Sequence, residues 1–364
     1  ATSYGIIAFE LCKIPLALIL VYHFKFGLEG AIIATTISYV ASIIVLSINA
    51  RSKLQVKFQK IYIKKWTKLF WIPLYRKSQS VVFSFDVAIF AIITDSVFGI
   101  ALFSASLAVS ILVGHAGLIA QAIYRKLLSG GSKEHLNETL IRFFYFGFPL
   151  AAISITFARP ALFALNPVYE VAVIVVMIMT LRTFIYVLSN IFQDALHGSE
   201  TIDALENPTF KQFAKSKLFT LPTILLIQYS LYVIILGIVL FLTTDSSTQL
   251  ELVMYWSTIS LAVQIPFTLY FFKMLKNNFS ISIDIIVSIK YLFSSIIVFT
   301  VVYFLMENYL KYQESIFDFL PNLILYLGIG VILYALVTYI LDIRTRKLVK
   351  SIITELTKNN KSVD

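Results

Sequence analysis

Apolar residues run along this chain in ten long blocks of about 20 residues each, the length a helix needs to cross a hydrocarbon core. The blocks lie at 3–23, 28–48, 78–97, 99–121, 141–162, 168–194, 219–242, 249–272, 284–306 and 319–341. They are continuous rather than alternating, which excludes the short strands of a membrane barrel. The polar gaps alternate in length. One alternate set, 24–27, 98, 163–167, 243–248 and 307–318, is short in all but its last member, and the other, 49–77, 122–140, 195–218 and 273–283, is longer in all but its last, with a tail at 342–364. The pattern predicts an all-α, polytopic membrane protein, a bundle of about ten transmembrane helices.

Charge adds an orientation. About 24 of the 30 Lys and Arg fall in the longer gaps and the tail, the asymmetry of the positive-inside rule. Lys25 and Lys311 lie in the short gaps and Arg159 at the block end beside a third, and Lys13, Arg182 and Lys290 lie inside blocks. The longer gaps and both termini are therefore expected on the cytoplasmic side. The net charge of +10 sits beside span ends, where it faces anionic lipid headgroups, so membrane lipids and not nucleic acid are the expected partners.

Composition agrees. A chain that is 59% hydrophobic, with a mean hydropathy of +0.84, is not a soluble domain. The single Cys12 excludes an internal disulfide or a cysteine-based zinc cluster. The chain opens on Ala1 directly before a span and is read as a fragment. In the gap 49–77, Lys53, Lys57, Lys60, Lys64 and Lys68 share one helical face, while Phe58, Tyr62, Trp66, Leu69 and Phe70 share the other. This predicts an amphipathic helix on the membrane surface. There is no GxxxxGK[ST] phosphate loop, HExxH motif, paired Cys/His cluster or Asp-x-Asp motif. The sequence offers no catalytic constellation, so no enzyme activity, cofactor or metal is expected.

Several stretches resemble the polysaccharide flippase branch of the multidrug/oligosaccharidyl-lipid/polysaccharide exporter superfamily. The run Phe26-Gly27-Leu28-Glu29-Gly30-Ala31-Ile32-Ile33-Ala34-Thr35-Thr36-Ile37-Ser38 is similar to the family's tight hairpin into its sixth helix. Leu165-Asn166-Pro167-Val168-Tyr169-Glu170 resembles the external turn before its tenth helix, and Phe192-Gln193-Asp194-Ala195-Leu196-His197-Gly198 resembles the end of that helix. Phe85-Asp86 resembles the start region of the seventh. The resemblance implies two pseudosymmetric lobes with the N-lobe truncated. Residues 1–48 would be the last two helices of that lobe, 49–77 a linker and 78–272 a six-helix C-terminal lobe. Two extra helices would follow at 273–341, then a cytoplasmic tail at 342–364. It implies a prokaryotic cytoplasmic membrane, a lipid-linked oligosaccharide substrate, and alternating access by rocking of the lobes about a central cavity.

Ionisable groups inside spans are costly and are the candidate site. Arg182, near the middle of its block, either faces a cavity and forks onto a diphosphate or pairs with a buried carboxylate such as Asp86. Lys13 either helps bind an anionic headgroup or neutralises Glu10, three residues before it. Asp86 and Glu10 are the candidates for coupling to a monovalent cation or proton. For Asp86 the alternative is a salt bridge or a helix-start carboxylate. Asp284 reads as a carboxylate at a helix N-terminus, and Lys290 as a side chain that snorkels back. His115 reads either as a pH-responsive group or as a packing residue, and Gln193, Gln228 and Gln264 as cavity-lining groups or interhelical hydrogen bonds. Two further functions remain open from sequence. One is a cation-coupled exporter of small amphipathic molecules, and the other a membrane scaffold or subunit that transports nothing.

Overall fold

The computed structural model describes residues 2–54, 60, 61, 63, 67, 70–122, 134–200, 210–279, 284–313 and 315–347. Among the described residues the chain is helical, with no strand, and ten helical segments are long and apolar enough to cross a membrane. The chain is a multi-pass, all-α membrane protein. Most of the lysines and aromatics that define the expected amphipathic helix (Lys57, Lys64, Lys68, Phe58, Tyr62, Trp66 and Leu69) lie outside the described residues, as do the last 17 of the tail, 348–364.

Contacts divide the chain into two units, Ala1–Trp71 and Ile72–Asp364. The first holds α1 (Thr2–Ala17), which continues as a π-helical turn over Leu18–His23, and α2 (Gly27–Leu54). Lys25 and Gly27 both take positive φ in the tight turn between them. Small residues let the two helices touch: Ser42 Oγ donates to the Gly5 carbonyl at 2.9 Å. Gly30, Ala34 and Ser38, four apart, are all buried along α2. A β-carbon on Gly30 would stand 3.0 Å from the Leu20 carbonyl, so the backbones meet there as only glycine allows.

The second unit comprises α3 (Trp71–Phe83), α4 (Phe85–Thr94), α5 (Val97–Ser110) with a 3₁₀ extension Ile111–Ala122, α6 (Glu134–Thr156), α7 (Ala158–Leu165), a 3₁₀ turn Pro167–Ala172, and α8 (Val173–Gly198). It continues through the short α9 (Phe210–Ala214), α10 (Lys217–Thr243), α11 (Gln249–Asn278), α12 (Ile285–Tyr309) and α13 (Ile316–Leu341).

Local chemistry sets where these helices stop. The block expected at 141–162 is instead α6 to Thr156 and then a separate α7. Pro160 explains the shift, because inside a continuous helix its ring would collide with the carbonyl of Thr156. Placed in the first turn of α7, it needs no hydrogen-bonded N–H. The block expected at 78–97 starts earlier and breaks at Ser84, two residues before Asp86. It ends at Asp95, which takes the left-handed conformation (φ 46°). Ser96 then caps α5 by accepting from the Gly99 N–H at 2.9 Å. Asn166 caps the turn into α8 in the same way, and Thr248 with Glu251 forms a capping box on α11.

Two apolar cores hold the second unit together. One gathers Phe90, Leu102, Leu162, Met179, Leu236 and Trp256, and the other Phe143, Leu196, Leu221, Phe271, Phe299 and Phe319. Helices α8, α10 and α11 run through both. The order of the cores along α10 is the reverse of that along α8 and α11, as expected of successive antiparallel crossings. The outward faces carry large apolar side chains such as Ile227, Phe241 and Ile297 in the open, suited to lipid rather than water.

In lipid, helix association rests on close packing rather than on the hydrophobic effect. Gly330 tests this directly. A β-carbon there would meet Phe299 Cε1 at 2.7 Å, whereas Gly328, half a turn away, has nothing within 4 Å. Gly330→Ala is expected to cost about 1–3 kcal/mol by overpacking. Gly328→Ala is expected to be neutral or slightly stabilising. Thermal denaturation of the two variants in the same detergent compares them, and equal melting temperatures would remove the packing argument.

Candidate functional site

Between its two cores the second unit carries a polar belt. Each of the three helices that link the cores contributes to it: Thr180, Arg182 and Thr183 from α8, Gln228 and Tyr229 from α10, and Gln264 and Thr268 from α11. Arg182 lies nine residues beyond the start of α8, about 14 Å along the axis at 1.5 Å per residue, which is near the middle of a span.

Part of this belt is satisfied internally. Gln228 Nε2 donates to Gln264 Oε1 at 2.8 Å, joining α10 to α11, and Gln264 Nε2 donates to Thr268 Oγ1 at 3.2 Å. These are interhelical and local bonds of the kind that membrane bundles use as glue. Gln193, by contrast, bonds within its own helix, donating to Ser189 Oγ at 3.1 Å. Other belt atoms have no partner. Thr180 Oγ1, Thr183 Oγ1, Gln228 Oε1 and Arg182 Nε are buried without a hydrogen bond. Buried unsatisfied groups are rare enough that each calls for a cause.

Asp86 is solved completely. Its carboxylate is 2% exposed in the first turn of α4. Oδ1 accepts from the Val87 N–H at 2.7 Å, and Oδ2 accepts from Tyr232 Oη at 2.9 Å and from Trp256 Nε1 at 3.4 Å. Trp256 Nε1 also donates to Tyr232 Oη at 2.7 Å. An indole can only donate, so the tyrosine accepts from Trp256 and turns its own proton to Asp86. Trp256 is itself fixed, stacked against Phe90 and Phe103. The network ties α4 to α10 and α11.

Arg182 is not solved in this way. Among the described residues no carboxylate forms an ion pair with it and no acceptor takes a hydrogen bond from it. Its guanidinium lies 5.3 Å from the centroid of the Phe83 ring and 5.6 Å from that of Tyr186, one turn further along α8. These are cation–π contacts, which hold a cation while leaving its N–H edges without acceptors. Phe83 also packs against Tyr229 and Tyr232.

Arg182 and Asp86 thus share one region of the unit without the direct pairing that was one reading of the sequence. Glu10 and Lys13 belong to the first unit and do not pair either. Lys13 Nζ lies over the Phe9 ring at 5.3 Å, and Glu10 is exposed. Helical side chains lean toward the N-terminus, so Lys13 reaches the residue four before it, while Glu10 leans away from Lys13. His115 is exposed on the 3₁₀ extension of α5 and is not a packing residue. Asp284 does sit at its helix N-terminus, accepting from the Val287 N–H at 3.3 Å and from Arg344 at 3.0 Å. Lys290 reaches back to the Leu341 carbonyl at 3.5 Å.

The aromatic partners Phe83, Tyr186, Tyr229, Tyr232 and Trp256 were not singled out from sequence. Only the four-residue spacing of Arg182 and Tyr186 carried a usable signal. An open apolar groove of about 260 Å³ between α10 and α11, lined by Ile224, Ile227, Pro266, Phe267 and Tyr270, contains no charged side chain. Among the described residues no cluster of His, Cys, Asp or Glu has the makings of a metal site.

Removing one member of the Asp86 network leaves buried atoms unpaired. Tyr232→Phe is expected to lower stability by about 1–3 kcal/mol, because the carboxylate loses a donor and Trp256 loses an acceptor. A double-mutant cycle with Asp86→Asn should then show non-additivity in thermal denaturation. Strict additivity would mean that the two groups do not support each other.

No protein-family model matches this chain, and neither does any curated protein or solved structure.

Proposed function

We propose that this chain belongs to a transporter that moves lipid-linked oligosaccharide or polysaccharide precursors from the cytoplasmic to the outer leaflet of a prokaryotic membrane, with both termini cytoplasmic. The observation that carries the reading is Arg182, a permanently charged guanidinium in mid-span that no acceptor among the described residues satisfies. A guanidinium is always charged and presents paired N–H donors that match phosphate oxygens. A lipid-linked sugar carries its phosphates at the junction of glycan and chain, so such a donor would hold the one charged part of an otherwise polar or apolar cargo.

The resemblance described from sequence supports the substrate class, and the alternation of basic gaps supports the orientation. The other two functions left open by the sequence fit less well. A non-transporting scaffold would be expected to neutralise its intramembrane charges, and Arg182 is left unpaired. A cation-coupled exporter using Asp86 would need carboxylate oxygens free for the ion, and three donors already converge on them. Lys13 is a second cationic candidate, on the first unit, held by Phe9 rather than by Glu10.

The reading is tested in cells that depend on the protein for surface glycan. Arg182→Ala, expressed at the wild-type level, should cut export tenfold or more and leave lipid-linked precursor in the cytoplasmic leaflet. Arg182→Lys should restore only part, because it keeps the charge and loses the fork. Wild-type surface glycan in Arg182→Ala would discard the assignment.

A further inference from the structure

We propose that Asp86 sets how tightly the Arg182 site holds an anion, acting as a built-in electrostatic counterweight that keeps the cargo releasable. This inference rests on the reading of Arg182 as an anion site. Asp86 is here a positioning residue, since it acts on the anion through the field around Arg182 and not by contact.

The geometry has three parts. First, the carboxylate is locked: three donors from α4, α10 and α11 converge on it, the environment of a carboxylate anion. Second, rings and not the carboxylate face the guanidinium. Phe83 faces Arg182 at 5.3 Å and packs against Tyr232 at 5.8 Å, and Tyr232 carries the hydroxyl bonded to Asp86. Third, the two groups adjoin without an ion pair within 4.0 Å: Phe83, which faces Arg182, lies three residues before Asp86 in the chain and packs against the Tyr232 that donates to Asp86.

In a buried region of low effective dielectric, a unit charge a few ångströms beyond contact still alters a neighbouring site's affinity by a tenfold factor or more. Asp86 therefore subtracts from the pull that Arg182 exerts on a phosphate. The Tyr232 and Trp256 donors partly quench that effect by drawing the negative charge toward themselves. A carrier must release what it binds, and a bare guanidinium in a dry site would hold a diphosphate too long. Locking the carboxylate in its own hydrogen-bond network, instead of pairing it with Arg182, weakens the grip without blocking the site.

The test uses the full chain, purified in detergent, with farnesyl diphosphate as the probe and calorimetry or probe-quenched tryptophan fluorescence as the readout. Asp86→Asn should bind the probe at least tenfold more tightly than wild type. Tyr232→Phe, which leaves the carboxylate less quenched, should bind it more weakly. Arg182→Ala should abolish binding, which assigns the probe to that site. The opposite signs matter, since a purely structural role for the network would make both variants weaker.

Equal or weaker binding in folded Asp86→Asn, with Arg182→Ala still abolishing binding, would overturn the counterweight and leave the anion site standing. Failure of both wild type and Asp86→Asn to bind the probe would overturn the counterweight together with the anion site on which it rests. Should Asp86→Asn fail to fold, Asp86→Ser, which also removes the charge and keeps an acceptor for Tyr232, takes its place: tighter binding supports the counterweight and equal or weaker binding overturns it.

Discussion

A polar group inside hydrocarbon must find its partner within the protein, and the second unit is organised around that requirement. Its two apolar cores could be filled by many interlocking sets of side chains. The layer between them has far fewer solutions, because each atom there needs a specific donor or acceptor. Asp86 shows what such a solution demands. Its oxygens are met by its own helix at Val87, by Tyr232 on α10 and by Trp256 on α11, and Trp256 is held in turn by Phe90 and Phe103. Satisfying one carboxylate thus fixes the relative placement of three helices.

Pro160 and the caps meet the same constraint at the helix ends. Pro160 stands where its missing N–H costs nothing, and Asn166, Ser96 and Thr248 each accept from a first-turn amide. At the far end of the unit, Asp284 is shared between the α12 N-terminus and Arg344, while Lys290 closes on the last carbonyl of α13. These ends tie α12 and α13 together by polar contacts, where Gly330 lets them approach by shape.

Much of this architecture is legible in the chain, because span length and continuity are averages over 20 or so residues and survive local detail. All ten spans coincide with apolar blocks of the sequence, and Asp284 and Lys290 behave as their positions near a span end require. The break at Ser84, the 3₁₀ run after α5 and the shift of α6 depend on single backbone positions that an average blurs. The surroundings of Asp86 and Arg182 are hidden for another reason. Tyr232 and Trp256 lie 146 and 170 residues from Asp86, and within a span an aromatic ring counts as one more apolar residue. Its polar edge acquires meaning only when a distant helix brings a charge to it. The Glu10–Lys13 spacing misleads in the opposite way, since spacing alone ignores the direction in which side chains lean.

The unequal treatment of Asp86 and Arg182 follows from their chemistry. A guanidinium at the centre of a membrane helix costs about 2.5–3.5 kcal/mol on insertion scales. Each desolvated cation–π contact returns up to about 2 kcal/mol, so the rings of Phe83 and Tyr186 together come close to offsetting it. Arg182 can therefore persist in mid-span without a carboxylate partner. A carboxylate has no equivalent, because the ring face repels it, and it must be met by donors. The rings stabilise the cation from its faces and leave its N–H edges unclaimed. Those are the edges at which a phosphate would bind, and so the arrangement that makes Arg182 tolerable in the membrane is also one that would leave it open to an anion.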